Sequence, residues 1–178
     1  MEKNAFVRRR VERIVDSLEY DFDNFSMDDY VAWVEKFIKR RIAFIPWKMP
    51  IYMTGLWLTD AEDSIEYIFI ADNLPPLLEI QVKLHELGHI LNNHTTTAVT
   101  HEMLQLLRTG EIDIEMLSQP FLKVTRSVAP DLLEQETEAE HTAAIIQERI
   151  NQAVRTRKLS DGSLDAQTQA FLRNIGLG

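Results

Sequence analysis

The chain has 178 residues, a formal net charge of −9 and a hydrophobic content of 45%. This length suits one domain with a sizeable core, and the acidic balance argues against a general nucleic-acid or anionic-membrane binder. Because the sequence has no cysteine, disulfides and thiolate metal sites are excluded. The first fifteen residues lack the apolar core of a signal peptide, and no apolar run could cross a bilayer, so we expect a cytoplasmic protein without membrane or direct nucleic-acid partners.

Two amphipathic helices are predicted at the start of the chain, which we assign to residues 1–41. The first is indicated by apolar residues at helical spacing: Val7, Val11, Ile14, Val15 and Leu18. The second follows Ser26-Met27-Asp28-Asp29, which resembles a capping box, and should run to about Arg41.

A small, mainly antiparallel sheet is predicted next, because the chain changes to short runs rich in β-branched and aromatic residues. The runs are Ile42 to Ile45, Ile51 to Met53, Leu56 to Thr59 and Ile65 to Ala71. Prolines and Gly55 separate them. The last run could offer its edge to an extended peptide as an added strand. Together with the helices, these strands predict an α+β fold.

A helix over residues 75–93 is predicted by Pro75-Pro76 in its first turn and by an apolar stripe. The stripe consists of Ile80, Leu84, Leu87 and Leu91. His85 and His89 lie roughly opposite this stripe. One side of the helix should therefore be buried in the core, and the side that carries the histidines should face a cleft.

This helix contains the pattern His-Glu-x-x-His as His85-Glu86-Leu87-Gly88-His89. Histidines four residues apart lie one turn above each other, so both imidazoles can bind one ion. Zn²⁺ held by two histidines and a third ligand keeps an open position and acidifies its water. Glu86 would take a proton from that water and return it to the leaving amine.

Two simpler explanations compete with this interpretation. With five His and sixteen Glu in the chain, the pattern should arise by chance in roughly one such chain in a hundred. Alternatively, two histidines on a buried helix can simply be hydrogen bonded to carbonyl groups.

The next segment is harder to interpret. It holds two apolar stretches, Met103 to Leu107 and Ile112 to Leu117, and a region between Pro120 and Pro130 to which no element is assigned. His94 and His101 are expected to be surface residues rather than ligands.

A long helix is predicted from Asp131 to about Arg157, with a tight apolar stripe. The stripe consists of Ala139, Ala143, Ile146 and Ile150, and its alanines allow close packing on another helix. Four glutamates come before or beside this stripe, as is typical of a solvated helix start. At about 100° per residue, Glu136 lies nearest the stripe, Glu138 and Glu140 flank it, and Glu134 and His141 point away. Glu136 is therefore the best candidate for the third metal ligand, with Glu138 as the alternative.

We assign residues 42–158 to the core of the domain and residues 159–178 to a C-terminal helical tail. The tail follows a helix-breaking stretch, Ser160-Asp161-Gly162-Ser163, and contains a short amphipathic piece from Leu164 to Leu172.

Residues 40 to 150 resemble the ImmA/IrrE family of metallopeptidases, a minimal gluzincin-like group. Three stretches carry the resemblance: Ile68-Phe69-Ile70-Ala71-Asp72-Asn73-Leu74-Pro75, the His85 to His89 motif, and Glu136-Thr137-Glu138-Ala139. It implies a minimal zincin-like domain with the motif on a central helix. It also implies that His85, His89 and Glu136 bind Zn²⁺ and that Glu86 is catalytic.

The chain departs from the family after this third stretch. Family members typically continue Asn-x-Phe-Ala and end the helix in Leu-Leu-Met-Pro, whereas this chain has Glu140-His141-Thr142-Ala143 and then Ile145-Ile146-Gln147-Glu148. The ligand set is unaffected, but contacts of the helix end with a substrate should differ.

The resemblance implies a zinc metallo-endopeptidase that cleaves a cytoplasmic regulatory protein, namely a helix-turn-helix transcriptional repressor encoded beside it. The alternative is a non-cleaving protein-binding regulator on the same fold, such as an anti-repressor or a toxin–antitoxin-like partner. The intact Glu86 favours the enzyme, since a pure binder needs no base at this position. The sequence specifies no oligomeric state.

Overall fold

A computed structural model describes residues 2–60, 62–118 and 130–161 of the chain. Its elements in chain order are α1 (Glu2–Ser17), a 3-10 helix (Phe22–Asn24), α2 (Met27–Ile38), β1 (Arg41–Trp47), β2 (Gly55–Asp60), β3 (Ile65–Ala71), α3 (Pro76–Leu91), β4 (Thr97–Val99), α4 (His101–Thr109), α5 (114–118) and α6 (Pro130–Asp161). None of the described helices is both long enough and apolar enough to span a membrane. The predicted piece from Leu164 to Leu172 and residues 119–129 lie outside the described residues.

The predicted α+β class, a small sheet packed on helices, is confirmed. The four strands have the order β1-β3-β2-β4. The expected antiparallel direction holds for the central pair, β2 and β3, while β1 is parallel to β3 and β4 is parallel to β2. Both parallel pairs join strands that are not consecutive in the chain, and such pairs need a longer crossover connection than a hairpin.

Two details of the predicted sheet are wrong. The run from Ile51 to Met53 is a turn, in which the Met53 N–H donates to the Pro50 carbonyl at 2.9 Å. β3 lies between β1 and β2, so neither of its edges is available to an added peptide strand. The edge strand β1 contains Pro46, a residue that sheets tolerate at an edge because it cannot donate to a ladder.

The sheet is buried on both faces. Side chains alternate along β3, so that Ile68 and Ile70 pack with the large helices while Phe69 packs on the opposite side with α4 and α5. The first cluster also contains Val11 from α1 and Ile146 from α6. The N-terminal helices thus share one core with the helices that carry the predicted site.

The helix boundaries follow local signals. Ser26 caps α2, since its hydroxyl accepts from the Asp29 N–H at 3.1 Å. The helix ends at Ile38, before the predicted Arg41, because Lys39 adopts a left-handed conformation and Arg41 begins β1.

The two helices of the predicted site, α3 and α6, meet at Gly88. A Cβ atom on this residue would lie 2.9 Å from the Ala139 carbonyl oxygen and 3.2 Å from the Thr142 Cβ. Beside this contact, Asn92 donates to the Thr142 hydroxyl at 2.7 Å. The absence of a side chain at Gly88 therefore sets how closely α6 approaches the histidine helix.

Candidate metal centre

Three side chains from α3 and α6 converge at one end of this helix pair. The Nε2 atoms of His85 and His89 lie 3.0 Å apart. Glu136 places Oε2 at 3.4 Å from the His85 Nε2 and Oε1 at 3.5 Å from the His89 Nε2. Ligand atoms of a tetrahedral zinc site lie about 3.4 Å apart when the bonds are about 2.1 Å long. Each imidazole Nε2 thus lies at about this distance from the other and from one of the two Glu136 oxygens, so the three side chains are close enough to bind one Zn²⁺ ion.

The structure also distinguishes between Glu136 and Glu138, the two candidates for the third ligand. The Glu136 side chain is 54% exposed and lies beside both imidazoles. The Glu138 side chain is 3% exposed and contacts His94 and Arg10 instead. Of the two carboxylates, only that of Glu136 is placed to complete a metal site with His85 and His89.

The candidate site opens into a cleft of about 810 Å³. Its walls come from β2, from the residues before β4, from α3 and from α6; they include Gly55, Trp57, Thr96, Glu86 and Glu140. A three-residue ligand set that faces a cleft leaves a coordination position accessible to water or substrate, which is the arrangement of catalytic rather than structural zinc sites.

Glu86 lies between α3 and β2 and is 7% exposed. A Cβ atom on residue 55 would overlap its Oε1 atom, so Gly55 is needed to make room for the carboxylate. Burial raises the pKa of Glu86 to about 7, although the charge of His85 and a hydrogen bond from the Trp57 backbone act in the opposite direction. Glu86 therefore lines the cleft as a carboxyl that can exchange a proton near neutral pH.

His89 and Glu136 are in the charge states that a metal site needs at neutral pH, whereas the nearby carboxylates favour the protonated form of His85, which would have to lose its proton to bind a metal. Burial lowers the pKa of His89 to about 4, so its imidazole is neutral. Burial also disfavours the charged form of His85, but the carboxylates of Glu136, Glu86 and Glu140 outweigh it and raise the pKa of His85. Burial works against ionisation of Glu136 too, yet the two histidines hold its pKa below the usual range and keep the carboxylate charged.

Trp57 fixes one side of His89. The two rings are stacked, with centroids 6.3 Å apart and an interplanar angle of 28°. The Trp57 indole N–H donates to Glu66 at 2.6 Å, and the buried Glu66 forms an ion pair with Arg40. Sequence reasoning missed this group, although a single charged residue inside the apolar strand Ile65–Ala71 was a usable signal.

The expectation that His94 is a surface residue is wrong. Its side chain is 4% exposed, and its Nδ1 atom lies 2.9 Å from the Nδ1 atom of His89. The cause is the turn after α3: Asn93 has a φ of 54°, and the His94 N–H donates to the His89 carbonyl at 3.0 Å. This turn brings the His94 ring back over the end of the helix. The pair Asn92-Asn93, a typical helix stop, was the signal in the sequence.

A second group of possible ligand atoms consists of Asp60, Asp63 and His101. Asp60 accepts from the backbone N–H groups of Glu62 and Asp63 at 2.7 Å each, so it stabilises the β2–β3 turn. His101 is exposed, as expected from the sequence, and lies 2.8 Å from Glu62. This group is explained by its role in the turn.

Comparisons of the chain with protein-family models, with curated proteins and with solved structures find no match. The resemblance to the ImmA/IrrE family therefore stays a prediction, and the chemistry of the site has to be inferred from its own residues.

Proposed function

We propose that this protein is a zinc-dependent endopeptidase of the ImmA/IrrE type. The observation that carries the proposal is the convergence of His85, His89 and Glu136, with ligand atoms 3.0 to 3.5 Å apart, beside the buried carboxyl of Glu86. The donor set favours Zn²⁺, since two imidazoles and one carboxylate suit this ion better than Mg²⁺ or Ca²⁺, which prefer oxygen ligands.

A zinc ion in such a site supplies a Lewis acid that activates water and polarises an amide carbonyl. Glu86 has the proton-transfer role: its carboxylate takes a proton from water and delivers it to the leaving amine. Burial assists the first half of this cycle, because it favours the neutral carboxyl and so makes Glu86 a stronger base for the proton of the water. His85 and His89 would hold the ion from one face of α3, and Glu136 would hold it from α6.

The cleft suits an extended peptide. β4 pairs with residues 58–60 of β2, so within the described part of the chain no strand covers β2 at Gly55 on the cleft side. A peptide in the cleft would pass between Gly55 and Glu86 on one side and Glu140 on the other. An extended backbone is the form in which a peptide can lie along such a strand.

The proposed substrate is a cytoplasmic regulatory protein, with a helix-turn-helix repressor encoded beside this chain as the first candidate. This part of the proposal comes from the family resemblance alone. The competing proposal is a regulator that binds the same partner without cleaving it, and the two differ in what they require of Glu86.

The decisive variant is Glu86→Gln, which keeps the shape of the side chain and removes the base. Wild type and variant are expressed in cells of the source organism, and newly formed protein N termini are identified by mass spectrometry. New termini should appear with wild type and not with Glu86→Gln, while both proteins contain about one zinc per chain.

Glu79→Gln is the matched control, because Glu79 is a residue of the same helix whose side chain is 42% exposed, pairs with Lys83 and lies outside the cleft. It should produce the same termini as wild type. If neither wild type nor Glu86→Gln produces new termini and both relieve repression by the partner equally, the protein acts by binding and the peptidase proposal is wrong.

A further inference from the structure

We infer that His94 is a positioning residue for the metal centre: it holds the Nδ1 side of His89 so that Nε2 stays directed at the ion, and Glu138 and Arg10 hold His94 in turn. This inference rests on the proposed metal site. It adds three residues, from three separate parts of the chain, to the machinery of that site.

The contacts form one continuous path away from the metal ligands. The Nδ1 atoms of His89 and His94 are 2.9 Å apart, and the His94 Nε2 is 2.9 Å from the Glu138 Oε2. Glu138 forms an ion pair with Arg10 of α1, whose side chain reaches solvent. The histidine and the carboxylate between the two ends are both buried.

A metal ion on His89 would fix the direction of every hydrogen bond on this path. Because Nε2 gives its lone pair to the metal, the ring proton of His89 must be on Nδ1 and is donated to His94. The His94 Nδ1 must then be unprotonated, so its own proton is on Nε2 and is donated to Glu138. The carboxylate accepts this proton, and Arg10 balances its charge.

The geometry on the other side of His89 agrees with a positioning role. Trp57 stacks against the imidazole, which restricts the plane of the ring, while the bond to His94 restricts rotation within that plane. Both contacts together leave the Nε2 atom at the cleft, beside His85 and Glu136. Partners of this kind are typically needed for full metal affinity.

The test compares His94→Leu, which removes the acceptor for the His89 N–H, with His94→Asn, whose side-chain oxygen can accept that proton near the same position. The control is His101→Leu, the same substitution at an exposed histidine away from the path. Zinc affinity is measured without any substrate, by competition with a chromophoric chelator. We expect a loss of about 10- to 100-fold for His94→Leu, a smaller loss for His94→Asn and no change for the control.

A second readout separates positioning from a merely structural role. In the zinc-loaded wild type, the His89 Nδ1 proton should give a slowly exchanging, downfield signal in proton–nitrogen NMR spectra. It should be lost in His94→Leu and present in His101→Leu. If His94→Leu does not fold, His94→Asn and Arg10→Met serve instead. Arg10→Met should weaken zinc binding by a few-fold, because Glu138 loses the cation that balances it.

Unchanged affinity and an unchanged His89 signal in the His94 variants would overturn this inference while leaving the zinc site itself in place. Failure of the wild type to bind zinc would overturn both proposals. A wild type that binds zinc but produces no new protein termini would overturn the proposed function alone, since the affinity and the NMR signal are measured without substrate.

Discussion

The contact between α3 and α6 at Gly88 leads to a quantitative prediction for Gly88→Ala. The added Cβ would lie 2.9 Å from the Ala139 carbonyl oxygen and 3.1 Å from the Ala139 Cα. Both are backbone atoms of a long helix, so they cannot move aside as a flexible side chain could. α6 must therefore shift away from α3 by a few tenths of an ångström or more.

Two effects of opposite sign determine the change in stability. Overpacking of a tight contact costs about 1–3 kcal/mol, whereas alanine gains up to about 1 kcal/mol over glycine inside a helix. We expect a net loss of about 1–2 kcal/mol in the free energy of unfolding. Glu136 is one turn before Ala139, so the shift also draws its carboxylate from the histidines. We expect this movement to lower zinc affinity about tenfold, which corresponds to about 1.4 kcal/mol.

The assays are urea unfolding of the chelated protein and a chelator competition titration of the folded protein. Gly110→Ala is the control, because Gly110 has a φ of 77° and no atom within 4 Å of an added Cβ. Backbone strain should cost this variant about 1 kcal/mol without changing zinc affinity. If Gly88→Ala is as stable as wild type and binds zinc equally well, the helices do not touch here as described.

Three further predictions concern the site and its support. Glu136→Ala should lower zinc affinity more than Glu138→Ala does in a competition titration; the reverse order would assign the third ligand to Glu138. In chelated protein, Glu86→Gln should be more stable than wild type by roughly 3 kcal/mol at pH 8. The pKa of Glu86 is raised to about 7 in the folded state, so ionisation of this carboxyl lowers the stability of the wild type as the pH rises above the pKa of the unfolded chain. The difference should vanish below about pH 4.5, and urea unfolding at pH 8 and below pH 4.5 checks it. Arg40→Met should destabilise the fold by about 3 kcal/mol in the same assay, since it leaves the buried charge of Glu66 without its ion-pair partner.

The part of the fold that could be predicted from the sequence is the part set by local periodicity. The helical spacing of apolar residues located α3, and the four-residue separation of His85 and His89 determined that both point to one side. The phase of α6 also selected Glu136 over Glu138, but its premise that Glu136 lies nearest the buried stripe is wrong, since Glu138 is buried and Glu136 is exposed. These features depend on residues within a few turns of each other, so no knowledge of the tertiary structure was needed.

The features that sequence reasoning missed depend on contacts between distant segments. The strand order places β3 in the centre of the sheet, and the alternation of side chains in one strand carries no information on its neighbours. His94 is buried because the backbone reverses at Asn93. Gly55 is needed beside Glu86 only because β2 and α3 pack together, and the sequence does not indicate this contact because the two residues are 31 positions apart.

If the proposed zinc site is correct, the division of its ligands between α3 and α6 links metal supply to folding. His85 and His89 stay neighbours in any helical fragment, but Glu136 joins them only when α6 has docked. An unfolded chain therefore offers a poor site, and an ion that binds the folded state alone stabilises it by mass action, by about 4 kcal/mol at a free concentration a thousand times its dissociation constant. Zinc starvation would then act on this protein twice, by removing its Lewis acid and by increasing the fraction of chains open to degradation.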